Sequence, residues 1–315
     1  MQRGLLPLEA LDLQQPLPWN EHGVSVTLVR LDKLHPHRGG NKIFKLKYNL
    51  AQALHEKHDT VVTFGGAFSN HLRAAASACS ELGLRLVCVV RGERSEPLNP
   101  VLQFVERLGG QLHFVTREDY REKDSPRFVE TLRARFGPAY FIPEGGANAR
   151  GVLGCTEIPL LLNERFDVIA CACGTFTTMA GLILGAAETQ RVIGVSVLKA
   201  KGYGERQVNA LVEQTLHEFP RLSKPACMWE VADGYHFGGY AKRTTELDNF
   251  SNEMKTRWHV DVDFVYTAKL LYGIRDVIAH GAITVNSTCA VLMSGPGADL
   301  GDVVISNPPN SGSQL

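Results

Sequence analysis

The chain has 315 residues, 44% hydrophobic and 21% charged, the proportions of a soluble globular protein with room for two domains or one large α/β unit. Lys+Arg and Asp+Glu each number 33, so no bulk field draws the chain to nucleic acid or to an anionic membrane. No apolar run is long enough to span a bilayer, no basic-then-apolar leader opens the sequence, and the seven cysteines are scattered without paired metal-ligand spacing. A reducing cytoplasm and no metal site are expected.

Residues 1–22 are Pro- and Leu-rich and read as a surface arm. Val24–Leu31 alternates and is rich in β-branched residues, so it reads as a strand. Gly39-Gly40-Asn41-Lys42 is a turn leading into a helix that runs to about His58. Phe44, Leu46, Leu50 and Leu54 are its apolar face, with Asn49, Gln52 and Glu56 outside. A repeating unit follows. Thr60–Phe64 is a strand, Gly65–His71 a turn, Leu72–Leu82 a helix closed by Gly83, and Leu84–Val90 a strand. Pro100–Leu108 is a helix closed by Gly109-Gly110, and Gln111–Val115 a strand. Glu118–Phe136 is charged, amphipathic and helical. Strands alternating with helices predict βαβ units and a parallel sheet.

Tyr140–Asn148 breaks the rhythm and marks a crossing between two lobes. A helix over Gly151–Leu162, a buried strand over Asp167–Cys173 and a turn at Gly174–Thr178 come next. Cys171 and Cys173 lie in that strand and read as small core residues. A helix over Met179–Thr189, a strand over Val192–Val197 and a mostly helical Lys199–Phe219 follow. Trp229–Lys242 reads as irregular. Helices are expected over Glu246–Trp258 and Tyr266–His280, and a last strand over Cys289–Met293 leads to Ser294–Gly297. The tail from Asn307 is rich in Pro, Ser and Gly. The whole predicts two open-sheet α/β lobes with a cleft between them.

Chemistry gathers in the loops at strand ends: Gly39–Lys45, Gly65–His71, Gly174–Thr178, Tyr235–Tyr240, Tyr266–Lys269 and Ser294–Gly297. A lysine at a turn-to-helix shoulder, lifted from water, loses its proton and becomes a nucleophile. The plain alternative is an exposed lysine in a first helical turn. Gly174-Thr-Phe-Thr-Thr178 runs from a strand into a helix start, where backbone N–H groups and hydroxyls make an anion cradle; the alternative is a helix capped by threonine. It is neither a Walker loop nor G-x-G-x-x-G. Ser69-Asn70-His71 lacks the G-x-S-x-G elbow of a hydrolase and has no acid partner. Tyr240 and Tyr266 are packing residues taken singly, and candidate acids or bases beside a reactive lysine. A Schiff-base lysine, an anion cradle and no acidic metal cluster together describe a pyridoxal phosphate site.

The sequence resembles the D-cysteine desulfhydrase and 1-aminocyclopropane-1-carboxylate deaminase family of pyridoxal phosphate enzymes, from about Leu31 to about Gly301. The resemblance rests on Gly40-Asn-Lys42, Phe44-Lys-Leu-Lys-Tyr-Asn-Leu50, Phe64-Gly-Gly-Ala-Phe-Ser-Asn-His71, Pro143-Glu-Gly-Gly-Ala-Asn148, Tyr235-His-Phe-Gly-Gly-Tyr-Ala-Lys242 and Val265-Tyr-Thr-Ala-Lys269. It implies the tryptophan synthase β-like fold (fold type II), with 1–46 and 150–315 as a large cofactor domain and 47–149 as a small one. It implies that Lys42 joins the cofactor's aldehyde and that Lys45 lies among the cofactor contacts. Asn70 is implied at the ring hydroxyl, Ser69 at the substrate carboxylate or as a nucleophile, and Tyr240 and Tyr266 near the substrate. Gly174, Thr175, Thr177 and Thr178 are implied around the phosphate, and Ser294 at the ring nitrogen.

The sequence departs from the family pattern in four places. Phe176 and Thr177 replace the glycines of Gly-Thr-Gly-Gly-Thr, which weakens phosphate binding if either position needs φ > 0 or close approach. Met293-Ser294-Gly295-Pro296 replaces His-Thr-Gly-Gly. Ala147 and Ala268 replace threonine and glycine. Thr267 stands where dedicated deaminases carry glutamate, which argues against ring opening. The resemblance implies a homodimeric lyase that eliminates from a small amino acid such as D-cysteine, giving keto acid, ammonia and sulfide. Two alternatives stand beside it: aminocyclopropane-carboxylate deamination, and an impaired paralogue that serves as a ligand-binding or interaction protein.

Overall fold

The computed structural model describes residues 13–19, 21–35, 37–162 and 165–295. The chain begins in the larger of two sheets, where β1 (Gln14–Leu17) lies antiparallel to β2 (Ser25–Val29). Helix α1 (Lys42–His55) carries it into the smaller sheet, built from β3 (Thr60–Gly66), β4 (Arg85–Arg91), β5 (Gln111–Val115) and β6 (Tyr140–Ile142). Between these strands run α2 (Asn70–Glu81), α3 (Pro100–Arg107) and α4 (Pro126–Phe136). Helix α5 (Ala149–Cys155) returns to the larger sheet, which adds β7 (Val168–Cys173), α6 (Thr177–Gly185), β8 (Arg191–Ser196), α7 (Tyr203–Glu218) and β9 (Met228–Ala232). Helices α8 (Thr245–Trp258) and α9 (Thr267–Ala279) precede β10 (Thr288–Leu292).

The strand orders are β1-β2-β10-β7-β8-β9 and β5-β4-β3-β6. Every pairing but β1–β2 is parallel. Helices cover both faces, which is why β7 is buried at all six positions and reads as one apolar run. Side chains alternate between faces with period two. Val61 joins the core under α2 and α3, while Val62 joins the core under α4.

Helix α1 is shared by the two lobes. Ile43 and Phe44 pack in a core of the larger sheet, while Leu46, Leu50 and Ala53 pack in a core of the smaller. The buried arc of α1 is therefore wider and rotated from the expected face. Leu54 is 43% exposed, and Asn49, expected outside, is fully buried. Its amide is satisfied by a reciprocal pair with Asn148: Asn49 Nδ2 donates to Asn148 Oδ1 at 3.1 Å, and Asn148 Nδ2 donates to Asn49 Oδ1 at 2.7 Å.

Several boundaries differ from the sequence reading. Glu118–Phe136 is a 3₁₀ turn at Asp119–Glu122 followed by α4, because Ser125 caps a new start with Pro126 behind it. The helix expected over Gly151–Leu162 ends at Cys155, and Pro159 accompanies a 3₁₀ turn at Ile158–Leu161. The stretch read as irregular from Trp229 begins with β9, an edge strand too short and too exposed for strong alternation. Part of the expected arm is β1, and Tyr140–Ile142 pairs with β3. Residues 1–12, Pro296-Gly297 and the tail from Asn307 lie outside the described residues. Cys171 and Cys173 are core residues, each 1% exposed. Among the described residues no helix is long and apolar enough to cross a membrane.

Candidate active site

The site forms where α1 starts, at the seam between the lobes. Gly40 makes the approach possible. Its φ is +91°, and a Cβ there would stand 2.1 Å from the Ser294 carbonyl oxygen beyond β10. Asn41 then links two turns. Its Nδ2 donates to Thr178 Oγ1 at 2.6 Å, and its Oδ1 accepts from Lys42 Nζ at 2.9 Å. One helical turn on, Lys45 is 4% exposed and its Nζ donates to Thr175 Oγ1 at 3.4 Å. The Thr175 and Thr177 hydroxyls are 3.0 Å apart. The lysine turn and the threonine turn thus meet through side-chain bonds that cross 130 or more positions of sequence.

Lys42 keeps part of its surface open, the opening by which a ligand can reach it. Burial foremost, then the neighbouring Lys45 charge, brings its pKa from 10.5 to about 7; Cys155 and Asp263 oppose this more weakly. Burial likewise lowers Lys45. Among the described residues neither amine pairs with a carboxylate; their bonds go to an amide and a hydroxyl. The first turn of α6 has no side-chain cap, so its N–H groups face the same region without side-chain partners.

The replaced glycine behaves in an unforeseen way. Phe176, at a position where the family pattern has glycine, does take the left-handed conformation, φ 59° and ψ 0°; Thr177 does not, and opens α6. The Phe176 ring is 1% exposed and joins the core of the larger sheet instead of filling the turn.

Tyr266 stands over Gly174, where a Cβ would lie 3.4 Å from its hydroxyl. Tyr266 OH donates to Tyr240 OH at 3.3 Å, and Tyr240 is 47% exposed at the opening. Burial, then Tyr240, raises Tyr266 well above the usual phenol range, so it stays a donor. Asn70 lies beside Gly295, where a Cβ would be 3.5 Å from its Nδ2. Ser69 Oγ caps α2, accepting from the His71 and Leu72 N–H groups at 3.2 and 3.4 Å. His71 turns away from Ser69. The Thr63 hydroxyl donates to the Ile142 carbonyl at 2.8 Å, so His71 Nε2 must donate to Thr63 Oγ1, also at 2.8 Å. Burial and the charges of Lys42 and Lys45 lower His71 to about 3. No Ser-His pair forms.

Sequence reasoning missed two supports. Lys269 is fully buried, and its Nζ donates to the His236 and Gly239 carbonyls at 2.9 and 2.8 Å. It holds the loop carrying Tyr240, in which Phe237, Gly238, Gly239 and Ala241 all have positive φ. Asp263 caps α9, accepting from Tyr266 N at 2.8 Å and from Thr267 Oγ1 at 2.6 Å. An aspartate three residues before a helix was the readable signal for the second. Nothing local marks a lysine whose partners are carbonyls 30 and 33 positions away.

A separate surface hollow of about 500 Å³ lies along α8 and α9, lined by Glu246, Phe250, Glu253, Tyr272 and Arg275. Glu253 is paired with Arg275 and Glu246 with Tyr272, and the hollow has no reactive group. Among the described residues no group of three His, Cys, Asp or Glu is placed to hold a metal ion.

Two parallel-sheet lobes with a desolvated lysine at their seam, facing an uncapped helix start, define a pyridoxal phosphate enzyme of fold type II. The chain belongs to the pyridoxal-phosphate dependent enzyme family, whose sequence profile matches residues 5–295. It is 30% identical over 295 residues to the bifunctional D-cysteine desulfhydrase/1-aminocyclopropane-1-carboxylate deaminase, mitochondrial, of Arabidopsis thaliana, covering 82% of this chain and 68% of that one. It is 32% identical over 288 residues to a putative 1-aminocyclopropane-1-carboxylate deaminase of Pyrococcus abyssi, covering 88% of this chain and 86% of that one. The crystal structure of an ACC deaminase homologue matches with a TM-score of 0.78 at 28% identity, over 92% of this chain and 91% of that one.

The residues fit the cofactor. Two desolvated amines without carboxylate partners favour an anion beside them, the helix start offers free donors, and the Phe176 ring leaves the turn open.

Proposed function

We propose that the chain eliminates a β-substituent from a small amino acid, D-cysteine or a close analogue, releasing a keto acid, ammonia and, from D-cysteine, sulfide. The observation that carries this reading is the Lys42 amine, brought to about 7 by burial and by Lys45, and joined to the threonine turn by two hydrogen bonds through the Asn41 side chain. In this reading residues 1–46 and 150–315 form the cofactor domain and 47–149 the smaller domain, and the protein works as a homodimer.

When bound, pyridoxal phosphate supplies the aldehyde that takes an amine and the ring that draws electron density from the adjoining carbon. Lys45, Gly174, Thr175, Thr177 and Thr178 would hold its phosphate, Asn70 its ring hydroxyl and Ser294 its ring nitrogen. Lys42, about half neutral near pH 7, is the amine that would join the aldehyde, and its free Nζ can hold or take a proton. Asn41 Oδ1 orients that amine. Tyr266 donates a hydrogen bond to Tyr240, and in this reading the two phenols would lie beside the substrate. The Ser69 hydroxyl, whose oxygen caps α2 and whose hydrogen is not used by that cap, would offer a contact for the substrate carboxylate.

Thr267 favours elimination over ring opening. It is 2% exposed and its hydroxyl is bound to Asp263, so no acid or base from that position enters the site. The reading is tested with purified protein and D-cysteine, L-cysteine and 1-aminocyclopropane-1-carboxylate in parallel. Keto acid and sulfide from D-cysteine, lost in Lys42→Ala, are expected. Keto acid from the cyclopropane substrate alone would replace this reading with deamination by ring opening. A protein that binds the cofactor and turns over none of the three would favour the impaired paralogue.

A further inference from the structure

We propose that Phe176 is a positioning residue for the phosphate turn: its ring, seated in a socket on α7 whose floor is Gly204, holds the turn in a left-handed conformation at a position where the family pattern has glycine. This rests on the reading that Gly174–Thr178 grips the cofactor's phosphate, and it reverses the expectation that the substitution impairs that grip.

The backbone at Phe176, φ 59° and ψ 0°, is one that an L-residue adopts reluctantly. Something outside the turn must hold it there. The turn's own bonds do not suffice. The Phe176 carbonyl starts α6 by accepting from Ala180 N at 2.9 Å, and its side chain caps nothing. The ring is what is fixed. A Cβ on Gly204 would stand 2.7 and 2.8 Å from two of its carbons and 2.8 Å from Val231. The Tyr203 ring meets it edge-on, with centroids 6.0 Å apart and planes at 70°. The socket is itself tied down. Gly202, left-handed at φ 68°, donates its N–H to Asp233 Oδ2 at 2.9 Å, which fixes the start of α7 to the end of β9.

Thr175 and Thr177 flank Phe176 and carry the paired hydroxyls that Lys45 reaches. If the ring leaves its socket, residue 176 can relax to negative φ, and both hydroxyls and the intervening N–H groups turn with it. A glycine would only permit this turn; here a buried aromatic enforces it.

The test separates phosphate grip from general stability. Wild type, Gly204→Ala and Phe176→Leu are each titrated with pyridoxal 5′-phosphate and with pyridoxal, which carries the same aldehyde and ring without the phosphate. Binding is followed by the absorbance of the lysine-bound chromophore, and each protein is also melted. Gly204→Ala and Phe176→Leu should weaken pyridoxal phosphate by about 10-fold or more while changing pyridoxal by less than about 2-fold. The double variant Phe176→Leu/Gly204→Ala should bind pyridoxal phosphate no more weakly than Phe176→Leu alone, because the methyl acts only through the ring, and additive losses overturn the inference. Equal weakening of both ligands, or no weakening, overturns the inference and leaves the site reading intact. A wild type that binds the phosphorylated ligand no better than pyridoxal overturns the site reading and this inference together. Should Gly204→Ala not fold, Phe176→Leu decides by the same comparison.

Discussion

A lysine held at a pKa of about 7 destabilises the fold that holds it, and that cost can be measured without any turnover. In the unfolded chain Lys42 titrates near 10.5, and in the folded chain near 7. Between those values the unfolded state binds more protons, so stability rises with pH across the window. Below about pH 7 both states are protonated and the full penalty is present; above about 10.5 neither is, and it vanishes. At about 1.4 kcal/mol per pH unit the ceiling is about 5 kcal/mol. Partial exposure and relaxation around the amine bring the expected value to about 2 kcal/mol. Lys42→Met removes the penalty and keeps the shape of the stem. Urea unfolding of cofactor-free wild type and Lys42→Met at pH 6, 8 and 10 should show the variant more stable by about 2 kcal/mol at pH 6, less so at pH 8, and nearly equal at pH 10. Lys45 repels Lys42, so relief of that repulsion is part of the difference, while the remaining lysines titrate in both proteins and cancel. A variant less stable at pH 6, or a difference that does not change with pH, would refute the account of Lys42 as a desolvated amine.

Three further outcomes follow from single contacts. Lys269→Met removes both bonds that hold the Tyr240 loop; kcat should fall about 10- to 100-fold with the cofactor absorbance retained, and unchanged kinetics would show that the loop needs no clamp. Asn41→Ala leaves the Thr178 hydroxyl and the Lys42 amine without their partner; a loss of about 1–3 kcal/mol in urea unfolding is expected, and none would mean that water replaces the amide. Thr267→Glu puts a second carboxylate against Asp263 in a buried place, so melting should drop by several degrees with no gain of activity on 1-aminocyclopropane-1-carboxylate; a gain would show that this residue alone withholds ring opening.

Much of this was readable in one dimension because strands buried on both faces are continuous apolar runs and the turns between them are marked by glycine. β3, β7 and the lysine turn were legible for that reason. What was not legible depends on partners distant in sequence. Asn49 has the residue type of a solvent face, yet it is buried because Asn148 meets it across 99 positions. β9 is an edge strand with half-exposed side chains, so it carries no strong pattern. Phe176 was readable as an anomaly but not in its consequence. The sequence says that a ring stands where glycine is usual; only the position of Gly204 says where the ring goes.

The electrostatics of the seam give the arrangement its logic. Lys42 and Lys45 sit one helical turn apart and disfavour each other's charge. Asp263, the carboxylate nearest in effect to Lys42, already accepts from the start of α9 and from the Thr267 hydroxyl. Folding therefore assembles a site with excess positive potential and uncapped helix donors, and leaves it uncompensated. A ligand carrying a phosphate relieves this, and whatever binds only the folded form adds its binding free energy to stability. In the proposed reading both halves of the ligand would act through α1, because the same helix start carries the lysine assigned to the aldehyde and the lysine that reaches the threonine turn. The two lobes meet on that helix, Phe44 in one core and Leu46 in the other. Filling the site thus tightens the joint between the lobes as well as the turn it touches.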